Sequence, residues 1–480
     1  MGAETQVERA ATNVARMTND DHESPPPRGD MRSLRREHGW EPMEIEGRIP
    51  EGLRGTLHRV GPGLYDSFGR EVAHSFEADG ALCSVRLEGP TRALAAKRVI
   101  ESAEYREEKR AGAPLYGSRA MPWRRVMNGL LRRRKNTGNT ALMRWQSRLF
   151  ALVESSWPTE IDARDLSTIG ETDLGVLGST FTAHPHRVNA RDAIYGFGMR
   201  WGPKNAIELA VLPDRGAPRM LGEIPLEHGV LLHDFAATEK HLVFLVPPMR
   251  FQLVKALLGI GGASDIFAWT PEDGVEVIVV PIDDPSAIVR FRVDTFFQWH
   301  FAGAWEENGE IVLHIARWPD FDSYEGLRAS GQTGGKAYLH RVAIDPARKT
   351  FRSEPVWGAP CEFPEIDPRR EGARYRTVFL TTTKGARRGV ARVELERGED
   401  DVFLFERGAC PSELVYVPRD ATCAEGEGWG LTMVYEPARD ATCLAIFDAR
   451  RLADGPIARC WMRDHAPMTF HGVWVEDAID

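Results

Sequence analysis

The chain contains four histidines that stand in apolar segments, where an imidazole is unusual. They are His184, His233, His300 and His471, each close to Phe, Leu, Trp or Ala residues. The neutral imidazole ring is a common ligand for Fe, Cu, Zn and Ni. Taken alone, each of these histidines is better explained as a core residue that packs against its neighbours. Their spacing, together with that of three glutamates, favours a different interpretation.

The glutamates Glu154, Glu362 and Glu413 also interrupt apolar stretches. Positions 233, 300, 362, 413 and 471 follow one another at intervals of 67, 62, 51 and 58 residues. One blade of a β-propeller, which is four strands with their connections, takes about 40–50 residues before insertions. One polar residue per innermost strand would therefore point towards a common axis, with His184 and Glu154 on the preceding blades.

Such a ring has the chemistry of a metal centre. Four neutral imidazoles leave the charge of a divalent ion uncompensated, and carboxylates bonded to the far ring nitrogens would orient the imidazoles and supply that charge. Three glutamates for four histidines predict that one histidine has no carboxylate partner. The residue types leave iron and zinc open. His186 competes with His184 for the same role, whereas His314 and His340 are interpreted as packing or surface histidines.

Short strands that are bounded by turn residues make up most of the chain after Trp40. A helical pattern is predicted only for two insertions, Met121–Leu131 and Phe251–Leu258. Predicted strands include Arg148–Glu154, Ala193–Met199, His241–Pro247, Val275–Ile282, Ile311–Ala316, Ala337–Ile344, Val378–Thr382, Leu431–Tyr435 and Cys443–Phe447.

A weak internal repeat supports a radial arrangement of these strands. An apolar residue, an aspartate and a turn residue follow one another from Ile161, Ile282, Ile344 and Phe447. Strand-and-turn units that recur every few tens of residues are typical of solenoids and propellers. A propeller fits better, because radial repetition hides the edges that many short strands would otherwise expose.

Length and composition set further bounds. Residues 1–39 of the 480 are polar and are predicted to be a disordered tail before one propeller domain over residues 40–480. We see no secretory signal in the first 25 residues and no apolar window of membrane-spanning length. The net charge of −9 does not favour nucleic acid as a partner. Six scattered cysteines suit a reducing compartment, so the expected location is the cytoplasm, either free or at the periphery of a membrane.

The chain resembles the carotenoid cleavage oxygenase family over nearly everything from about Trp40 to Val475. The blocks that carry the resemblance are Gly55–Gly63, His74–Gly80, Thr182–Pro185, His233–Phe235, His300 with Ala304–Glu307, Glu362–Pro364 and Phe470–Gly472.

This resemblance implies an all-β, seven-bladed propeller with a helical or loop cap over one face. It implies one Fe(II) per chain, with O₂ as co-substrate. It selects His184 over His186, because the family's ligand precedes the proline, and it places Glu154, Glu362 and Glu413 beside the histidine ligands. The implied iron ligands are His184, His233, His300 and His471.

Three positions depart from the family pattern. Gly303 and Val60 stand where the family usually has asparagine, and neither is a ligand, so only local hydrogen bonding is affected. Val153 stands directly before the first glutamate, where the branch that cleaves hydroxylated stilbenes has a lysine for the phenol. Val153 therefore argues against a phenolic substrate.

The resemblance also suggests residues near the substrate. Thr140 matches a position whose side chain crowds one open iron site in some members. The family's tunnel aromatics correspond to Phe76, Trp299 and Phe363. Each of these three aromatic residues has an equally good explanation as ordinary core.

Two segments combine apolar residues with nearby basic ones, residues 121–135 and residues 249–258. This combination is typical of a patch on an anionic membrane surface. The alternative is a basic loop next to a helix that faces the core.

Together these features predict oxidative cleavage of a conjugated C=C bond in a carotenoid or apocarotenoid, with two carbonyl products. A stilbene cleaver or a retinoid isomerase on the same scaffold is the alternative enzyme. A metal-free propeller that serves as a binding scaffold is the alternative of another class. Buried histidines and glutamates at blade spacing tell against it, because an unliganded polar axis would be costly to bury.

Overall fold

The structure is a computed structural model, and it describes residues 25, 26, 28–252, 254, 255, 266–327 and 336–476. Two α-helices lie in the connection between two strands, α1 (Ala103–Ala111) and α2 (Pro122–Leu130). Val254 and Lys255 are also helical, and the other regular elements in these ranges are strands or short 3₁₀ helices.

The first half of the chain has strands β1 (His38–Pro42), β2 (Glu44–Gly47), β3 (Gly55–Leu64), β4 (Asp79–Gly89), β5 (Arg92–Val99), β6 (Ala141–Trp145), β7 (Arg148–Leu152), β8 (Thr159–Ile161), β9 (Thr168–Glu171), β10 (His186–Val188), β11 (Ala193–Arg200), β12 (Asn205–Pro213), β13 (Arg219–Leu226), β14 (Ala236–Ala237), β15 (His241–Val246) and β16 (Met249–Phe251). The second half has β17 (Phe267–Trp269), β18 (Val275–Pro281), β19 (Val289–Val293), β20 (Phe297–Glu307), β21 (Glu310–Trp318), β22 (Tyr338–Asp345), β23 (Thr350–Glu365), β24 (Thr377–Lys384), β25 (Arg387–Glu394), β26 (Glu399–Leu404), β27 (Cys410–Pro411), β28 (Val415–Pro418), β29 (Gly428–Glu436), β30 (Ala441–Asp448), β31 (Ala458–Trp461) and β32 (His471–Glu476).

These strands form seven antiparallel blades, each of which runs from an inner to an outer strand. Blades 2, 3 and 4 are β6–β9, β10–β13 and β14-β15-β18-β19, and the small β16–β17 hairpin is inserted in blade 4. Blades 5 and 6 share the long strand β23, whose first part is the outer strand of blade 5 and whose end is the inner strand of blade 6. The fold is the seven-bladed propeller that was expected from the sequence.

The ring is closed by both ends of the described chain. Strand β32 is the innermost strand of blade 1. It pairs with β3 in antiparallel register, from Val60 opposite His471 to Gly55 opposite Glu476. Strand β2 is the outermost strand of blade 7 and pairs with β31. Closure therefore joins residues that are more than 400 positions apart in the sequence. Forming such a contact carries the entropy cost of closing a very long loop.

The core consists of seven apolar clusters, one between each neighbouring pair of blades. Leu57 of blade 1 packs with Leu431 of blade 7, for example, and Phe197 of blade 3 with Phe244 of blade 4. Both faces of a blade are thus covered, which explains why strands such as His241–Val246 are almost continuously apolar and buried.

The repeated aspartate motif marks the turn from the third to the fourth strand of a blade. It occurs there in blades 2, 4, 5 and 7. Asp162, Asp345 and Asp448 each accept a backbone N–H two or three residues further on, which closes the turn. This local function explains why the motif recurs at blade spacing.

The helices only partly match the prediction. Helix α2 lies within the predicted segment Met121–Leu131. In the segment Phe251–Leu258, Phe251 ends β16, Val254 and Lys255 are helical, and four residues lie outside the described ranges. Helix α1 was not predicted, because it is highly charged and lacks an apolar stripe. Its ends carry the missed signals: the Ser102 side chain accepts the Tyr105 N–H, and Gly112 ends the helix with a φ of 62°.

Buried ion pairs attach the cap, which comprises α1, α2 and their connections. The Lys135 ammonium lies 2.6 Å from Asp79 Oδ1 on blade 1 and 2.5 Å from Glu108 Oε2 on α1. Arg119 also contacts Asp79, at 3.4 Å. Loss of Lys135 would leave two carboxylates buried without this partner, which is costly.

Residues 28–39 are packed against the propeller, so the predicted disordered tail up to residue 39 extends too far into the chain. The Met468 N–H donates to Asp30 O, and the Leu34 N–H donates to Gly63 O. Arg32 forms an ion pair with Asp440. Polar composition alone did not reveal these contacts, because they are made by backbone groups and charged side chains rather than by an apolar face.

We expect that truncation after Phe470 destroys the fold, because it removes the inner strand of blade 1. Truncation after Glu476 is the matched control, since it keeps β32 whole. Circular dichroism and a thermal unfolding scan of both proteins measure the difference. A cooperative transition at the full-length temperature in the shorter protein would contradict this account.

Candidate metal centre

Four inner strands bring the histidines to one end of the propeller axis. His471 is the first residue of β32 and His300 the fourth of β20, while His184 and His233 lie two and three residues before β10 and β14. The ligands thus come from blades 1, 3, 4 and 5 at the N-terminal ends of their inner strands. Convergence on the axis follows from the propeller geometry alone.

The imidazole Nε2 atoms face one another at short distances. His184 Nε2 and His233 Nε2 are 3.0 Å apart, His233 and His300 3.3 Å, and His300 and His471 3.1 Å. One nitrogen of each of the four rings lies within 4.8 Å of all the others. Two nitrogens bound to one ion at about 2.1 Å are separated by about 3 Å or slightly more, so the four rings fit a single ion.

Three carboxylates hold the far nitrogens of three rings. The His300 Nδ1 to Glu362 Oε2 distance is 2.6 Å, and the His471 Nδ1 to Glu413 Oε1 distance is 2.7 Å. Glu154 Oε1 contacts His233 Nδ1 in the same way. For His184, the described residues show no such carboxylate.

These contacts test whether the site suits a metal ion. An Nδ1–H that donates to a carboxylate leaves the Nε2 atom of that ring with a lone pair and no proton. Unprotonated nitrogens at about 3 Å from one another have no donor between them. A cation satisfies them all, so the residues present fit a bound divalent metal.

The electrostatics of the site agree with this assignment. Burial, followed by the neighbouring imidazoles, keeps the pKa of His184 well below its usual range. For Glu413, burial acts to raise the pKa, but His471 and Arg59 outweigh it and lower the pKa to about 2. The His184 ring therefore favours its neutral form and the carboxylate of Glu413 is charged, as a metal ligand set requires. For His300, burial acts to lower the pKa, but the neighbouring Glu362 outweighs it and raises the pKa.

Glu154 reaches the site from an unexpected strand. The spacing argument placed one polar residue on each inner strand, but Glu154 lies two residues beyond the end of β7, the second strand of blade 2. Because β7 runs antiparallel to the inner strand β6, its last residue Leu152 pairs with Ala141, the first of β6. The carboxylate therefore still lies at the correct end of the axis.

A buried aspartate connects three of the ligand segments. Asp234 accepts hydrogen bonds from the Phe301 N–H at 2.8 Å, the Phe235 N–H at 2.7 Å and His186 Nε2 at 2.8 Å. It thereby joins the segment that follows His233 to the segments that follow His300 and His184. His186, the rival of His184 in the sequence, is thus part of a support and not of the ring.

Arg59 supports the fourth segment. Its fully buried guanidinium donates to Glu413 Oε2 at 3.1 Å, to Phe470 O at 2.7 Å and to Thr469 Oγ1 at 2.9 Å. It therefore fixes both the carboxylate and the strand that carries His471. Arg59 and Asp234 were not selected from the sequence, although a charged residue in an apolar block is a signal for both.

An apolar cavity of about 390 Å³ reaches the centre from the cap side. Its inner wall includes His233, Val153, Phe76, Trp299 and Tyr324. The Trp299 ring stands edge-on to His233, with centroids 4.9 Å apart. Phe76 and Trp299, two of the predicted tunnel residues, therefore both line this cavity.

The other two predicted tunnel residues lie elsewhere. Phe363 adopts a φ of 53° at an irregularity of β23 and stacks on His300, with centroids 5.0 Å apart. This turn directs its ring into a second cavity. Thr140 is buried at the start of blade 2, where its hydroxyl is 3.2 Å from Asn139 Oδ1, and it is not among the described residues that line either cavity.

The second cavity is a polar channel of about 680 Å³ along the propeller axis. It follows the inner strands away from His184, His300 and His471. Burial, followed by the charge of Glu413, raises the pKa of Glu365 in its wall, and burial raises that of Glu371.

At Gly303, where the family usually has asparagine, the space beside the backbone is filled. A Cβ at Gly303 would come within 3.0 Å of the Tyr375 ring and 2.8 Å of Ile366. The Tyr375 hydroxyl donates to Gly303 O at 3.0 Å and lies 2.8 Å from His314 Nδ1. A buried tyrosine and histidine therefore supply the local hydrogen bonding, which agrees with the packing role predicted for His314.

Comparisons with known proteins point to one family. A family model described as "Retinal pigment epithelial membrane protein" matches residues 31–476. The apocarotenoid-15,15'-oxygenase of Synechocystis sp. is 30% identical over 457 residues, which cover 90% of this chain and 92% of that protein. A carotenoid 9,10(9',10')-cleavage dioxygenase of Crocus sativus is 26% identical, with coverage of 91% and 86%.

Among solved structures, cobalt-substituted Synechocystis ACO superimposes with a TM-score of 0.85 and 27% identity, covering 93% of this chain and 98% of that one. The sequence matches, the fold and the ring of histidines all point to the same family. The chain belongs to the retinal pigment epithelial membrane protein family, which includes the carotenoid oxygenases.

Proposed function

We propose that this protein is a non-haem Fe(II) dioxygenase that cleaves a conjugated C=C bond of an apocarotenoid or carotenoid, giving two carbonyl products. The observation that carries the proposal is the ring of four converging imidazoles, of which His233 lies in the wall at the inner end of an apolar cavity. The relatives named for apocarotenoid and carotenoid cleavage support the substrate class.

The residues of this chain would hold and orient the reactants. His184, His233, His300 and His471 would hold the iron. Bound ferrous iron supplies the activation of O₂. Glu154, Glu362 and Glu413 keep the rings in position and balance the charge of the ion. Iron is preferred over zinc because the reaction uses O₂.

The apolar cavity would position the polyene. Its aromatic and aliphatic wall excludes water and stacks against a flat conjugated chain. The two described carboxylates of the wall are already engaged: Glu154 contacts His233, and Glu77 accepts the Ser118 N–H at 2.8 Å. The cavity would therefore select the bond that reaches the metal, and the side chains would take no part in proton transfer.

A stilbene substrate is less suitable. A hydroxylated stilbene needs a partner for its phenol at the end of the cavity, and the residue before Glu154 is Val153, which lines the wall there. An aliphatic side chain at this point leaves a buried hydroxyl without a hydrogen bond. A retinoid isomerase remains the alternative on the same scaffold.

We further propose that the cap face contacts a membrane surface, from which an apolar polyene would enter. Five large apolar side chains of the cap are 47–64% exposed: Met121, Trp123, Met127, Leu130 and Leu131. The exposed residues Arg132, Arg133 and Arg134 follow directly, as expected for an interface with anionic lipid. The described residues include no helix that is long and apolar enough to cross a bilayer. The free cysteines suit the cytoplasmic side.

The activity is tested by product analysis. We expect purified protein with Fe(II), under O₂, to convert an apocarotenal into two shorter carbonyl compounds, each identified by mass spectrometry. β-Carotene, a hydroxylated stilbene and a retinyl ester are offered in parallel. Cleavage of the stilbene alone, or isomerisation of the ester without cleavage, would overturn the proposal.

Replacement of a ring histidine should abolish metal binding. We expect His300→Ala and His471→Ala to reduce the bound iron from about one per chain to less than a tenth, because the three remaining imidazoles cannot close around the ion. Metal is measured by elemental analysis after gel filtration. His186→Ala should keep the metal with an affinity lower by about 10–100-fold, because it removes a support and no ligand.

His340→Ala is the surface control and should bind metal like the unchanged protein, since His340 contacts only Ser353 at 3.0 Å among the described hydrogen bonds. Full iron content in the His471 variant would show that the ring is not the metal centre.

Membrane contact is tested with vesicles. We expect the protein to sediment with vesicles that contain anionic lipid, and the triple variant Trp123→Ser, Leu130→Ser, Leu131→Ser to lose at least 10-fold in binding, because exposed apolar area drives insertion. Ile169→Ser, an equally exposed apolar residue on blade 2, is the control. Equal sedimentation of the triple variant and the control would refute the contact.

A further inference from the structure

Two cavities meet at the four histidines, and they have opposite chemistry. The polar channel begins at exposed Arg144, Asp420 and Glu476, which lie at or near the C-terminal ends of inner strands, and ends at the imidazoles. The apolar cavity lies on the cap side. The metal centre is thus accessible from two directions. Entry of an apolar substrate does not explain the role of the polar channel.

Carboxylates dominate the polar channel. Its wall contains Asp234, Glu365, Glu371, Glu413, Asp420 and Glu476. Two of its three arginines are neutralised by carboxylates outside the wall: Arg187 pairs with Asp214 at 2.6 Å, and Arg369 with Asp367 at 2.6 Å. The third, Arg144, lies at the exposed end. Among the carboxylates, Glu413 is paired with Arg59 outside the wall, and the remaining ones still outnumber the arginines. The channel therefore suits a cation better than an anion.

The apolar cavity is unfavourable for a cation. Six basic residues lie in its wall: Arg119, Arg125, Arg132, Arg133, Arg134 and Lys135. Two of them, Arg119 and Lys135, are paired with Asp79. A hydrated dication would meet positive charge there and would then have to lose its water against aromatic rings. The two cavities therefore differ in which molecule can pass through them.

We propose that the polar channel is the route by which Fe(II) reaches the histidines, and that Glu365 and Glu371 are the carboxylates that pass it inward. This inference rests on the metal centre of the proposed function. The substrate and the metal would then reach the same centre from opposite sides.

The position of these two residues suits a transfer role. Glu371 lies beside the channel wall, where its Oε2 accepts the Arg187 N–H at 2.9 Å, and its other oxygen is left for a cation. Glu365 lies next to Glu413, which contacts His471. Carboxylate oxygens replace water around a divalent ion, and a proton held by such a group is released when the ion binds. Successive weak sites favour entry without trapping the ion.

The test is the rate of metal uptake by the metal-free full-length protein. Co(II) is mixed with the protein, and the rise of its absorption bands is followed in a stopped-flow instrument. Glu365→Gln and Glu371→Gln keep the size and one acceptor oxygen of each side chain, but an amide cannot release a proton and become an anionic ligand. We expect the double variant to take up Co(II) at least 10-fold more slowly than the unchanged protein, with the same final occupancy.

A matched control removes charge from the other cavity. Arg132→Gln with Arg133→Gln should leave the uptake rate unchanged, because this cavity does not carry the ion. Unchanged uptake in the glutamate double variant, or faster uptake in the arginine variant, would overturn the route while leaving the metal centre intact. Loss of the final occupancy in the glutamate variant would also overturn it, because the two residues would then be part of the binding site. Absence of binding in the unchanged protein would overturn the proposed function itself.

Discussion

The mutual approach of four imidazole nitrogens is the constraint on which the rest of the structure depends. At distances of 3.0–3.3 Å, nitrogens that carry lone pairs and no protons repel one another, and a cation removes this repulsion. The protein must therefore hold the rings together before the ion arrives. Carboxylates on the far nitrogens, and the supports provided by Asp234 and Arg59, do this from outside the ring.

The propeller is well suited to such a task because each ligand belongs to a different blade. Each blade is fixed by apolar packing on both faces, so the position of every inner strand is determined by its two neighbours. A ligand strand cannot move without disturbing two inter-blade clusters. The precision of the centre is therefore a property of the whole ring and not of the local segments.

Much of this arrangement was predictable from the sequence, and the exceptions have physical reasons. Strands buried on both faces are visible as apolar runs, and an isolated histidine in such a run is conspicuous. Glu154 lies at the predicted end of the axis, but it follows the second strand of its blade and not the inner one. Intervals along the chain do not distinguish the start of an inner strand from the end of the second strand that pairs with it. The direction of the Phe363 ring depends on one left-handed backbone angle, and the position of helix α1 is marked by its end residues. A hydrophobic pattern reveals neither feature.

The position of β32 in blade 1 has a consequence for the order of events during biosynthesis. This strand is translated after every other strand, yet it is the inner strand of the first blade and carries a ligand of the centre. While the ribosome is still producing the chain, blades 1 and 7 cannot meet and the set of four imidazoles is incomplete. Among the described strands, the one that completes the set of four imidazoles is therefore also the last to be made.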